Sequence, residues 1–467
     1  MPAGKRKSIH GEWSSRLGFI LAATGSAVGL GNIWRFPYIT GENGGGAFVL
    51  VYLACVALVG IPIMMAEVML GRRGRQSPIN TMGVLAQEEG RSRAWKGLGW
   101  LGMAAGFLIL SFYSVVAGWT LAYGVRTATG TFSGATAQGV EHIFDSFVAD
   151  PERLLAWHTV FMVMTMIVVS RGVKSGLEKA VRYLMPALFL LLIVMVGYAM
   201  NTGYFPQAVE YLFRPDFSKL TADAVLAALG QAFFSLSLGM GAIMIYGSYL
   251  SHRASIPRTV VIIAGMDTLV AVVAGLAIFP ILFANQLQPE LGSGLVFKVL
   301  PLAFGHMPAG VLFGTLFFVL LVFAAWTSTI SLMEPVVAWL VENRGITRVK
   351  AASAASVVAW LFGVVCLLSL NVWSGYKVFG MAFIDLVEYV SANVMLPLGG
   401  LLLAVFSAWI MKRDSTREEF GDGFGYRLWR GITMVVAPAA VFLILLNATG
   451  VLAWIRETVD QLLILLV

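Results

Sequence analysis

Polar side chains that could do chemistry stand inside stretches that are otherwise apolar. They are Asn32 and Arg35 in GSAVGLGNIWRFPY (25–38), Ser235 and Ser237 in GQAFFSLSLGMGAIMIYGSY (230–249), Asp267 in IIAGMDTLVAVV, and the hydroxyl run Thr327, Ser328 and Thr329 in AAWTSTISLMEP (324–335). Hydroxyls, an amide oxygen and one carboxylate are the oxygen ligands that a hard cation takes. Polar groups at membrane depth are costly, so they mark a pathway or a partner. Thr327 to Thr329 could instead bond back to carbonyls one turn earlier, but an ionised Asp267 in an apolar span requires a positive partner. Glu67 and Tyr113 add a carboxyl and a hydroxyl to two further apolar runs.

The segments holding these groups are interrupted in matching ways. Gly25, Gly29, Gly31 and Pro37 crowd the first, and Gly239, Met240 and Gly241 break the sixth. In hydrocarbon every backbone group needs a partner, so such breaks survive only where they are packed in protein or line a cavity. VGLG (28–31) and LGMG (238–241) each open a block of five spans. Paired interruptions in corresponding halves point to a transporter built from two repeats, with its site where the broken helices meet. An odd number of spans per block makes the repeats inverted.

Composition sets the class. The chain has 467 residues, of which 58% are hydrophobic and only 12% charged, against about 25% charged in soluble domains. The pattern predicts an all-α integral membrane protein with about eleven spans of roughly 20 residues, near 14–38, 46–70, 97–125, 155–170, 183–201, 222–250, 257–284, 309–341, 349–370, 377–410 and 426–447. The expected organisation is a tail over 1–13, repeat 1 over 14–201, a connection over 202–221, repeat 2 over 222–410, and a loop, final helix and tail over 411–467. Most of the 32 Lys and Arg fall in alternate connections (5–16, 72–96, 171–182, 253–258, 344–350 and 412–430), while 127–153 carries Glu141, Asp145, Asp150 and Glu152. By the positive-inside rule the N-terminus is cytoplasmic, and eleven spans put the C-terminus outside. This distribution accounts for the net charge of +7 without a nucleic acid. No cleavable signal peptide is evident, and Cys55 and Cys366 lie in apolar segments, against a disulfide framework. The five histidines have no metal-ligand spacing and no GxxxxGK[ST] occurs, so an enzyme or an ATP-driven pump is not expected and an ion gradient is the available energy source.

At Gly25 to Arg35 and at GENGGGAF (41–48), and onward through QAFFSLSLGMGAI and FAAWTSTISLMEP to about residue 410, the chain resembles the neurotransmitter:sodium symporter family, bacterial amino-acid members included. The resemblance implies a 5+5 inverted repeat with discontinuous helices 1 and 6, and sodium-coupled symport by alternating access at the cell inner membrane. It implies two sodium ions. The first would be held by Ala27, Asn32, Ser235, Asp267 and the substrate carboxylate; the second by Gly25, Val28, Ala324, Thr327 and Ser328. The substrate would meet Ala27, Gly29, Leu30, Gly31, Tyr113 and Ser235, with its side chain toward Ile109, Phe234, Ser237, Met240, Thr329 and Leu332. Gly29 stands where monoamine members carry an aspartate, which favours a neutral hydrophobic L-amino acid. Asp267 replaces the usual asparagine, and Ala271 stands where a serine or glutamate is expected. Tyr52, Gln231 and Ser235 match chloride ligands of other members, yet Asp267 can supply the negative charge, so chloride independence is expected. Arg35 and Glu388 resemble an extracellular gate beneath which Phe234 and Tyr113 form a lid. Trp13, Tyr249 and Glu342 resemble the cytoplasmic gate, with His10 at the position of the family's arginine and Arg6 or Lys7 as substitutes. Trp13 by itself reads as an interfacial anchor. Gly176 and Pro186 resemble a pair that lets helix 5 unwind; an ordinary proline kink is the competing reading. A carrier of an amine or osmolyte, and an amino-acid sensor that does not transport, are the alternative functions.

Overall fold

The computed structural model describes residues 6, 8–287 and 294–452. The helices in chain order are α1 (Arg16–Ala27), α2 (Gly31–Glu42), α3 (Gly46–Gly74), α4 (Pro78–Glu88), α5 (Arg93–Ala128), α6 (Ala137–Val148), α7 (Pro151–Ser170), α8 (Val173–Met200), α9 (Phe205–Phe213), α10 (Ala222–Ser235), α11 (Ala242–Ser248), α12 (Ile256–Ala284), α13 (Leu295–His306), α14 (Gly310–Arg344), α15 (Arg348–Leu368), α16 (Phe383–Ile410), α17 (Arg413–Phe420) and α18 (Phe424–Ala448). Among the described residues there is no strand, only an isolated bridge between Val378 and Met381.

Nine of these helices are long and apolar enough to cross a membrane, and α1 with α2 makes a tenth span bent by 53°. The expected eleventh, over 222–250, is the short pair α10 and α11, separated by the six residues 236–241. Both interruptions therefore sit where the glycines are. Val28 ends α1 in an extended conformation, and Ser237, Gly239 and Gly241 take φ of 54°, 79° and 75°. Two glycines meet that demand without the steric penalty a side chain carries there.

The broken helices form the centre. α1 packs on α14, α12 and α8, α10 on α3 and α2, and α11 on α3, α1 and α14. A Cβ added at Gly71 would lie 1.9 Å from the carbonyl oxygen of Met244, so only glycine permits α3 to approach α11 this closely. Local signals fix the helix starts: Ser15 accepts from Gly18 N, Thr221 from Ala224 N, and Asp150 from Glu152 N and Arg153 N, satisfying amides that have no partner within the helix.

Candidate functional site

At the end of α1 the chain leaves helical geometry, so its carbonyls and the first amides of α2 are free for other partners. Asn32, the second residue of α2, is fully buried, as is Asp267 on α12. Asn32 Nδ2 donates to Asp267 Oδ1 at 2.8 Å and to Ser235 Oγ at 3.0 Å, while Ser235 Oγ donates to Asp267 Oδ2 at 2.6 Å. Gly29 N donates to Asn32 Oδ1 at 3.1 Å, and Tyr52 Oη to Ser235 Oγ at 3.4 Å. Three residues up to 235 positions apart thus converge, and one of them, Ser235, lines a small cavity together with Ala27. They offer one carboxylate and several neutral oxygens. Among the described residues no group of three or more His, Cys, Asp or Glu is assembled, and a single carboxylate among neutral oxygens suits a monovalent ion better than a divalent one.

On the other side of the α1 break, Ser328 Oγ approaches the carbonyls of Val28 at 3.5 Å and Ala324 at 3.2 Å, and Thr327 Oγ1 donates to the carbonyl of Ala324 at 3.0 Å. Gly25 faces Thr327: a Cβ there would lie 3.2 Å from Thr327 Cβ and 3.0 Å from Met185 Sδ of α8. The five residues Gly25, Val28, Ala324, Thr327 and Ser328 are one cluster. Thr327 bonds back to α14, as the competing reading of the hydroxyl run has it, while Ser328 bonds back to Ala324 and also reaches across to Val28 of the α1 break.

Between the two clusters lies a small cavity of about 30 Å³, lined by Ser26, Ala27, Gly29, Gly31, Ile109, Tyr113, Phe234, Ser235, Ser237, Met240, Ser328 and Leu332. Leu30 N donates to Tyr113 Oη at 3.0 Å, placing that hydroxyl at the start of α2. Thr329 is not in the lining. Its hydroxyl meets Thr165 of α7 at 2.9 Å and the carbonyl of Trp326, because one residue along a helix rotates the side chain about 100° from its neighbour. Ser26, which sequence reasoning passed over, accepts on its carbonyl from Ser237 Oγ at 2.8 Å and joins its own hydroxyl to Ser331 Oγ at 2.8 Å. Glu67 holds the other break: its Oε2 accepts from Gly239 N at 3.2 Å.

Above Phe234 and Tyr113, which border both spaces, a second cavity of about 570 Å³ leads away from the end where the N-terminal tail lies. Arg35 and Glu388 both line it, but the guanidinium lies 4.7 Å from the centre of the Phe234 ring and no Arg35–Glu388 ion pair forms within 4.0 Å among the described residues. The ion pair expected of an extracellular gate is therefore not formed here. At its rim Lys298 pairs with Glu141 and Asp145 at 3.2 Å each. Partial burial lowers the ammonium pKa, yet these two carboxylates more than offset that and hold it above the ordinary lysine value.

The tail end is closed. Trp13 is buried, not interfacial; its indole donates to the carbonyl of Tyr246 at 3.1 Å and its backbone N–H to that of Tyr249. His10 Nε2 lies 3.0 Å from Glu342 Oε1, whose carboxylate also accepts from Ser77 N and Asn80 Nδ2. Arg6 pairs instead with Glu88, and Lys7 lies outside the described residues. Tyr249 does not reach Glu342. It donates to Glu334 at 2.7 Å, and Glu334 pairs with Arg348. The signal for Glu334 was present, an acidic residue in an apolar run, but its partner is supplied by the next helix. Gly176 lies in a π turn over Val173–Glu178, and Pro186 lies within the helix that follows, which remains helical.

The model for a family described as "Sodium:neurotransmitter symporter family" matches residues 10–145 and 139–456. The chain belongs to that family. It is 38% identical over 448 residues to an uncharacterized sodium-dependent transporter, YhdH, of Bacillus subtilis, covering 95% of this chain and 98% of the relative. With a sodium- and chloride-dependent GABA transporter 2 of Homo sapiens it shares 25% over 477 residues, 90% of this chain and 76% of that one. Among solved structures, MhsT in complex with L-phenylalanine superposes with a TM-score of 0.86 at 43% identity, covering 94% of this chain and 99% of that one. The symporter is therefore a sodium-dependent, multi-pass membrane transporter and not an enzyme. Its all-helical architecture is that of the MhsT structure.

Proposed function

We propose that the symporter carries neutral hydrophobic L-amino acids, aliphatic or aromatic, with two sodium ions and without chloride. The observation that carries this reading is the convergence of Asn32, Ser235 and Asp267 beside a cavity whose far wall is apolar: Ile109, Phe234, Met240 and Leu332. The amino-acid carboxylate lies against the start of α2 and Tyr113 Oη, where the positive end of the helix dipole favours an anion. There it completes the shell of the first sodium with Ala27, Asn32, Ser235 and Asp267. Each ligand then raises the affinity of the other by the same factor. Gly25, Val28, Ala324, Thr327 and Ser328 take the second sodium.

Entry is from the large cavity past Phe234. Substrate and sodium draw the broken helices together, Arg35 moves from the Phe234 ring to Glu388, and the tail-end contacts of His10, Trp13 and Tyr249 then part. With the N-terminus cytoplasmic, the large cavity faces outward and release is inward. Moving one charge through 100 mV contributes about 2.3 kcal/mol, so two sodium ions drive accumulation. MhsT, whose structure holds L-phenylalanine, supports the substrate class by likeness.

The reading is tested by uptake of radiolabelled leucine and tryptophan into proteoliposomes under an imposed sodium gradient. Accumulation should require sodium and persist when chloride is replaced by gluconate. Sodium-dependent binding without accumulation would make the protein a sensor; absence of both would remove the amino-acid assignment. Tyr113→Phe removes the hydroxyl facing the substrate carboxylate, a hydrogen bond to a charged group, so KM for the amino acid should rise about tenfold or more. The same uptake assay measures it.

A further inference from the structure

The foot of α1 is tied to α8 by one carboxylate. Glu178, at the end of the π turn Val173–Glu178, has a side chain only 3% exposed. It accepts from Ser14 N at 3.0 Å and from Ser14 Oγ, and pairs with Arg182 Nη2 at 3.2 Å. A carboxylate here also faces the amino end of α1, where the helix dipole favours negative charge. Gly18 makes the approach possible, since a Cβ added there would lie 2.8 Å from Glu178 Oε1.

A second contact joins the same two helices at the other end of α1. Met185 Sδ lies 3.0 Å from the position of a Cβ on Gly25, beside the cluster of Thr327 and Ser328. Both contacts depend on the turn between Glu178 and Pro186. Pro186 has no N–H to give the carbonyl of Arg182, so this turn lacks one backbone hydrogen bond.

We propose that Glu178 is a positioning residue that couples the inner half of α1 to the Glu178–Pro186 turn of α8, so that α1 is released only when that turn opens. This rests on the reading of α1 as part of the sodium site. Hydrogen exchange read by mass spectrometry on the full-length protein in proteoliposomes, in sodium and in potassium, tests it. In the wild type, segments 14–24 and 179–186 should both exchange faster in potassium. In Glu178→Ala, segment 14–24 should exchange about tenfold or more faster in sodium, as befits loss of hydrogen bonds to a charged acceptor, while 179–186 keeps its wild-type rate. Glu178→Gln, which retains an oxygen for Ser14 N, should return 14–24 toward the wild-type rate. Gly18→Ala, which crowds the same contact from α1, should reproduce the alanine phenotype. If both segments accelerate equally in Glu178→Ala, the residue merely holds the fold of α8 and the coupling is overturned; no change in either segment overturns it as well. A wild type whose two segments ignore the exchange of sodium for potassium would remove the sodium reading and the coupling with it.

Discussion

Sodium-driven uptake by Asp267→Ala is expected to fall at least about a hundredfold, with the apparent sodium affinity lost and the protein still inserted and folded. Asp267 is fully buried, and both its oxygens accept from neutral donors, Asn32 Nδ2 and Ser235 Oγ. In the proposed cycle it is the only carboxylate that the protein gives to the first ion. Removing one partner of a buried charge pair typically costs about 3–5 kcal/mol, which is about two to four powers of ten in affinity. Uptake measured against sodium concentration separates this from a loss of protein, which lowers the maximal rate but leaves the midpoint alone. An unchanged sodium midpoint in the variant would place the first ion elsewhere.

Gly29→Ala is expected to impair transport strongly by steric means. The added methyl would stand 2.7 Å from Ser328 Oγ and 2.9 Å from Tyr113 Oη. These two hydroxyls belong to the two sides of the proposed site, so neither can yield without disturbing an ion or the substrate carboxylate. Overpacking of this kind typically costs about 1–3 kcal/mol, and here it falls on the binding geometry. A reduction of roughly tenfold or more in kcat/KM for leucine is the expected result. Gly29→Ala that transports like the wild type would mean that the break relaxes, and the Gly29 argument about substrate class would lose its footing.

Much of this site was legible in the chain. Polar residues in apolar runs carry a large transfer cost, so Asn32, Ser235, Asp267, Thr327 and Ser328 stood out by their environment alone, and each is found at the broken helices. Glycine clusters betrayed the breaks themselves, because an uninterrupted span would not use Gly239, Met240 and Gly241 together. Other details were not legible. Nothing in the hydroxyl run indicated that Ser328 would face α1 while Thr329 turned to Thr165, since three adjacent hydroxyls look alike until the helix has a rotational setting. The resemblance grouped Tyr249 with Glu342, yet Tyr249 takes Glu334 and His10 takes Glu342, because which carboxylate a hydroxyl reaches depends on how the helices are set against one another. Arg35 and Glu388 were readable as a possible pair but not as two groups standing apart, because a sequence specifies which groups can meet and not which conformation is in view.

The amino-acid order by itself determined the class, the two interruptions and the residue types around them, because these follow from the cost of burying polar groups and from the backbone demands of glycine and proline. Only the tertiary structure decided which oxygens face one another, that Glu178 ties α1 to α8, and that Arg35 rests on Phe234. Those outcomes depend on helix rotation and axial offset, which are set by close packing such as Gly71 against Met244 and by contacts between residues hundreds of positions apart.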